Sequence, residues 1–151
     1  GKVFSGMTLS PIVTYGSGRP FNLLLGFDAN NDTQANTDRP PGVGRNTGRG
    51  PDYFAVDLRL AKEIRPRGES DFRIEAIVEA FNLFNRVNFS GVNSILGSCE
   101  PAGSLAFRSC GGVDLANARA KASRNASPAE PLGLTSAFDP RQIQLGVKVK
   151  F

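Results

Sequence analysis

Histidine and tryptophan are absent from this 151-residue sequence, methionine occurs once and cysteine twice. Without histidine there is no serine–histidine triad and no imidazole acid–base catalysis. Two cysteines with no histidine cannot fill a tetrahedral structural zinc site. Long hydrophobic runs are missing too: apolar cores such as Leu23-Leu24-Leu25 and Ala76-Ile77-Val78 fall far short of the ~20 residues of a spanning helix. That excludes transmembrane helices and leaves a membrane β-barrel open, because alternating strands escape a hydropathy scan. Charge of one sign is also scarce, with 18 basic and 14 acidic side chains giving +4. The arginines are scattered, without the clustering or aromatic interleaving of a nucleic-acid footprint, so a solvated surface is expected and no nucleic-acid partner.

What is present favours turns and strands. Glycine at 17 and proline at 10 punctuate the chain too often for long helices. Hydrophobic residues at 40% and charged residues at 21% are enough for a folded protein and too balanced for a disordered tail. The opening Gly1-Lys2-Val3-Phe4 has no signal-peptide pattern and no initiating methionine, so the chain is expected to be either cytosolic or a piece of something longer.

Alternation with period two recurs along the sequence. Residues 5–15 place Met7, Leu9, Val13 and Tyr15 on one face and Thr8, Ser10 and Thr14 on the other. Pro11 cannot donate a ladder hydrogen bond, which calls for an edge or a bulge there. After the turn Gly16–Pro20, residues 21–27 form a second apolar segment of strand length. Asp28 to Pro51 carries no apolar periodicity and reads as a long loop. Residues 53–65 alternate again, with Phe54, Val56, Leu58, Leu60 and Ile64 on one face, interrupted by Lys62.

The segment 71–84 is undecided locally. As a strand it sets Phe72, Ile74, Ala76, Val78 and Ala80 against Arg73, Glu75 and Glu79. As a helix, Ile74, Ile77, Val78 and Phe81 fit the helical spacing equally well. An irregular region from about Asn85 to Pro140 holds both cysteines and a candidate short helix, Asp114 to Arg124. Residues 141–151 alternate almost without fault, Ile143, Leu145, Val147, Val149 and Phe151 against Gln142, Gln144, Gly146, Lys148 and Lys150. Connections along the chain run short, long, short, long, and the strands are about ten residues long, the pattern of antiparallel strands crossing a bilayer.

Three stretches carry a family resemblance. Arg39 to Pro51 leads into Tyr53-Phe54-Ala55-Val56-Asp57-Leu58-Arg59-Leu60. Glu79-Ala80-Phe81-Asn82-Leu83-Phe84-Asn85 follows, and the chain closes with Phe138-Asp139-Pro140-Arg141-Gln142-Ile143-Gln144-Leu145-Gly146. Together they resemble the C-terminal end of TonB-dependent outer-membrane receptors, of the type with an N-terminal carboxypeptidase-regulatory-like domain. The resemblance implies a strand over 71–84 and a barrel of about 22 strands closed by a plug.

The expected fold is therefore all-β: an antiparallel up-and-down transmembrane β-barrel segment of about five strands, open in this fragment, with long extracellular loops at about 28–51 and 86–140. The implied setting is the outer membrane of a Gram-negative bacterium. The implied partners are outer-membrane lipid, the plug domain and remaining barrel of the parent chain, the TonB complex acting through that parent, and the outer-membrane assembly machinery. The function implied is uptake of a scarce ligand such as a siderophore, cobalamin or an oligosaccharide, without bond-making chemistry. The fragment by itself lacks a plug and is not expected to transport. The alternative is a soluble or secreted β-rich binding module whose Asp-rich loop holds calcium.

Candidate residues follow from this frame. If the apolar faces of 53–65 and 71–84 both meet lipid, Asp57, Arg59, Glu63, Arg73, Glu75 and Glu79 share the lumen face, where they would meet the plug. Charges facing lipid at mid-depth would cost ~2–4 kcal/mol each. The matching registers pair Glu63 with Arg73 or Arg59 with Glu75. Cys99 and Cys110 enclose ten residues and are expected to form a disulfide in an oxidising compartment, stabilising the loop by ~2–3 kcal/mol. Asp28, Asn30 and Asp32 have the one-three-five spacing of a calcium loop, but Thr33 and Arg39 replace the glycine and glutamate of an EF-hand. A looser calcium site is expected there if the loop is not simply an Asx-rich turn.

The last strand, Val147, Val149 and the terminal Phe151, resembles the signal read by the outer-membrane insertion machinery. Replacing Phe151 by alanine in the full receptor is expected to lower the amount of folded protein in the outer membrane; unchanged assembly would leave an ordinary strand end.

Overall fold

A computed structural model of the chain describes residues 5–34, 37–66, 72–103, 106–115 and 120–151. Its strands are β1 (Met7–Gly16), β2 (Pro20–Phe21), β3 (Gly48–Arg49), β4 (Tyr53–Ile64), β5 (Arg73–Phe81), β6 (Phe89–Val92), β7 (Cys99–Gly103), β8 (Ala106–Cys110), β9 (Val113–Asp114), β10 (Leu134–Ala137) and β11 (Gln142–Lys150). Among the described residues there is no helix long and apolar enough to cross a membrane. The architecture is all-β and antiparallel, and the chain divides into two compact units.

The first unit comprises residues 1–15, 54–87 and 139–151 and is built on a sheet of order β1-β4-β5-β11. The four long strands thus lie side by side in chain order, as in an up-and-down wall. β4 and β5 pair antiparallel from Leu58–Ala80 to Ile64–Ile74, and β5 and β11 from Phe81–Gln142 to Arg73–Lys150. Segment 71–84 is a strand over its described core, as the resemblance implied. Pro11, which has no N–H to give, sits on β1 at an edge of the sheet, where such a residue is tolerated.

Alternation sorts the side chains into two unlike faces. On one, Ile64, Ile74 and Val149 share a row, as do Leu60, Val78 and Leu145, and Leu58, Ala80 and Ile143. The Glu63 N–H donates to the Gly6 carbonyl at 2.9 Å, and antiparallel pairing from there brings Met7, Leu9, Val13 and Tyr15 onto the same face. These side chains are not covered by another layer: Leu9 is 62%, Val147 72% and Leu145 80% exposed. A continuous aliphatic surface of this kind does not suit water.

The second unit, residues 16–53 and 88–138, corrects the expectation of two unstructured loops and of a fifth wall strand at 21–27. Only Pro20–Phe21 pair as a strand, against Gly48–Arg49. Leu23 and Leu25 are fully buried and join Val43, Leu96, Cys110, Leu115, Ala120 and Leu132 in a separate hydrophobic core. The reason is local pairing: Leu24 N–H donates to Ser94 O, Leu96 N–H to Leu24 O and Leu25 N–H to Asp38 O, at 2.8–2.9 Å. The segment is thereby ordered within the two long excursions. Gly48 allows this fold, since a Cβ there would stand 2.4 Å from the Phe21 ring.

β7, β8 and β9 form a three-stranded sheet. Cys99 and Cys110 face each other across β7 and β8 and are joined in a disulfide, with Cys110 in the core. Of the candidate helix 114–124, Asp114 ends β9, Leu115 is in a 3-10 turn, and Lys121 and Ser123 bridge to Arg49 and Gly133. Residues 116–119 of that segment, and 67–71 of the expected turn at Pro66–Ser70, lie outside the described residues.

Replacing Leu25 by alanine is expected to destabilise the second unit by about 2–5 kcal/mol. Limited proteolysis should then cut within 17–52 and 88–138 at lower temperature while the four-stranded sheet stays resistant; parallel loss of both would show a shared core.

Candidate functional site

The face opposite the aliphatic one is the candidate site. Period two places Asp57, Arg59 and Glu63 of β4, Arg73, Glu75 and Glu79 of β5, and Lys148 and Lys150 of β11 on it. The parity is the expected one, but the register is shifted by two residues from one of the expected pairings and by four from the other. Glu63 stands opposite Glu75, not Arg73, and Arg59 opposite Glu79, not Glu75. Pairing begins at Ile64–Ile74 and leaves Pro66, which has no N–H for a ladder, outside it.

Like charges opposite each other destabilise a pair, and here they are relieved sideways. Arg65 holds Glu63 at 2.8 Å and Lys150 reaches Glu75 at 3.6 Å. Arg59 lies between two carboxylates, 3.5 Å from Glu79 and 3.8 Å from Glu75. The charged positions on this face, Asp57, Glu63, Glu75 and Glu79 against Arg59, Arg73, Lys148 and Lys150, balance in formal charge. A shallow cleft of about 230 Å³ opens beside Ala61, Glu63, Glu75 and Lys150. These pairs are partly exposed, so each contributes little to stability; their consequence is a wall of mixed donors and acceptors.

Two of the expected wall residues have different surroundings. Among the described residues Arg73 makes no ion pair and stands opposite Lys150. Asp57 turns to the rim, where its Oδ1 accepts the Asn82 N–H at 2.8 Å. Lys148 and Lys150 complete the wall on the third strand, and their alternation against Val147 and Val149 was the signal that pointed there.

Asn82 and Asn85, within Glu79-Ala80-Phe81-Asn82-Leu83-Phe84-Asn85, form a clasp at the rim. Both adopt left-handed backbone, with φ of 50° and 51°, a conformation asparagine tolerates better than most residues. Asn82 is buried; its Oδ1 accepts the Arg86 N–H at 3.1 Å and its Nδ2 donates to the Arg86 carbonyl at 2.9 Å. The same Nδ2 lies 3.5 Å from the Asp139 carbonyl. Asn85 Oδ1 accepts the Arg141 N–H at 3.0 Å, and Leu83 N–H donates to Val56 O at 2.8 Å. Arg86 lies over the Phe54 ring at 5.7 Å. The clasp therefore joins β4, the end of β5 and the approach to β11.

Asp28, Asn30 and Asp32 are turned to their own backbone. Asp28 accepts the Asp32 and Thr33 N–H groups, Asn30 the Asp32 N–H and Asp32 the Gln34 N–H, at 2.8–3.2 Å. Asp38 accepts Ala29 and Asn30 N–H from the other side. These are the side-chain-to-backbone bonds of an Asx-rich turn. Among the described residues no group of three or more acidic, cysteine or histidine side chains gathers as a metal site.

An aliphatic face, a charged face and a meandering antiparallel sheet define one class of protein, the membrane β-barrel. Residues 41–144 match the family model for an outer membrane beta barrel domain, more than half of the chain, and the chain belongs to that family. No curated protein and no solved structure matches it. Its place is the outer membrane.

Replacing Asn82 by alanine removes the clasp bonds and forces left-handed backbone on a residue that resists it. We expect a loss of about 2 kcal/mol in unfolding of the membrane-embedded protein. Asn82→Gly should fall between alanine and wild type, because glycine relieves the backbone but not the lost bonds; equal stability of all three would remove the clasp from the account.

Proposed function

We propose that this chain is the C-terminal barrel segment of a TonB-dependent receptor, which takes up a scarce ligand such as a siderophore, cobalamin or an oligosaccharide. The observation that carries this reading is the charged face of the four-stranded sheet. Carboxylates and cations interleave over three neighbouring strands, a surface suited to hydrogen-bond a folded polar plug. The wall, from Arg59, Glu63 and Glu75 to Lys150, has the role of plug contact, and binding and gating replace catalysis.

The topology supports the orientation. Both long excursions, 17–52 and 82–141, leave the same end of the sheet, and the short connection 65–72 lies at the other. In outer-membrane barrels long loops face outward and short turns the periplasm. The long excursions, which include the disulfide Cys99–Cys110, then serve ligand capture, and Val147 and Val149 lie toward the periplasmic end of β11.

Planar-bilayer conductance of the intact protein that carries this chain, together with binding of the periplasmic domain of TonB, tests the proposal. We expect a closed pore that conducts reversibly when urea unfolds the plug, and saturable TonB binding. A steadily open pore without TonB binding would overturn the receptor assignment in favour of another outer-membrane barrel.

A further inference from the structure

One residue breaks the lipid-facing stripe. Across β1, β4, β5 and β11 the aliphatic face carries a single charged position among the described strand residues, Lys62, between Leu60 and Ile64 on β4. Its row continues through Ala76 to Val147, so small and apolar side chains adjoin it. A cation on this face is tolerated only at headgroup depth, where its stem lies along hydrocarbon and its ammonium reaches polar atoms.

The direction of the side chain agrees. The Lys62 Nζ donates to the Ser5 carbonyl, beyond the point where Glu63 pairs with Gly6, so it is aimed at the end of the sheet and away from its middle. That end carries the short connection 65–72. At ~3.4 Å per residue, the eight steps from Phe54 to Lys62 run about 27 Å along the strand. Tilted by ~40°, that is about 21 Å, close to the ~25 Å apolar band of an outer-membrane barrel. Phe54, under the Arg86 guanidinium at 5.7 Å, marks the opposite boundary.

We propose that Lys62 and the Ala76 notch beside it form a lipid headgroup site that takes the phosphodiester of a glycerophospholipid from the periplasmic leaflet. The ammonium supplies charge to the phosphate, Ala76 leaves room for the glycerol, and Leu60, Val78 and Leu145, one row nearer the middle of the sheet, contact the acyl chains. The choice of leaflet rests on the orientation proposed above; the choice of a phosphate does not.

The test uses the intact outer-membrane protein in mild detergent, with retained lipid counted by native mass spectrometry. Phosphatidylglycerol should be retained by the wild type and by Lys62→Arg, and reduced at least threefold by Lys62→Leu. Leucine suits a lipid-facing strand, so the variant is expected to fold, which heat-modified gel migration checks. Equal retention of phosphatidylglycerol by Lys62→Leu, or retention of uncharged diacylglycerol as strong as that of phosphatidylglycerol, would overturn the site. Lys62-dependent retention of lipid A in place of phosphatidylglycerol would overturn the leaflet, and with it the orientation, while leaving the receptor assignment to the conductance test.

Discussion

Backbone amides and carbonyls cannot be left unpaired in hydrocarbon, and that constraint governs this chain. A strand crossing lipid must give its hydrogen bonds to neighbours on both sides, leaving only the side chains to distinguish inside from outside. The ladder from Phe81–Gln142 to Arg73–Lys150 meets it without interruption. Because side chains alternate strictly, one ladder commits every residue on it to lipid or to lumen. The aliphatic rows around Leu60, Val78 and Leu145 and the charged rows around Glu63, Glu75 and Lys148 are two results of the same pairing.

Much of this was legible in the sequence because the signal has period two. The alternation from Ile143 to Phe151 and from Phe54 to Ile64 identified two wall strands and their outward faces, and the family resemblance settled residues 73–81 where helix and strand spacing agreed equally. Parity across β4 and β5 was also legible. Register was not: apolar faces match equally well after a two-residue slip, so Glu63 opposite Glu75 could not be told from Glu63 opposite Arg73. What decides it lies in the connection and in diagonal partners such as Arg65 and Lys150, which no local pattern records.

The segment 21–27 shows the other limit. Leu23-Leu24-Leu25 has the composition of a wall strand, and nothing within it says whether its apolar side chains meet lipid or one another. Its partners, Asp38, Ser94 and Leu96, lie in excursions that look irregular because their core positions are widely spaced and separated by glycine, proline and asparagine. Asn82 was hidden for a similar reason. Its motif was visible, but the bonds that explain it reach Asp57 and Asp139, which are distant along the chain.

The clasp has a consequence for how such walls diversify. Asn82 and Asn85 tie the roots of a sixty-residue excursion to each other and to β4 through bonds made entirely by residues at its two feet. The spacing of β5 and β11 is thus set below the point where the chain departs. Whatever is inserted, deleted or exchanged beyond Arg86, these anchors within the first unit stay the same. One staves-and-hoops frame can therefore carry excursions of very different length and chemistry, and variation along them need not be matched by compensating change in the strands.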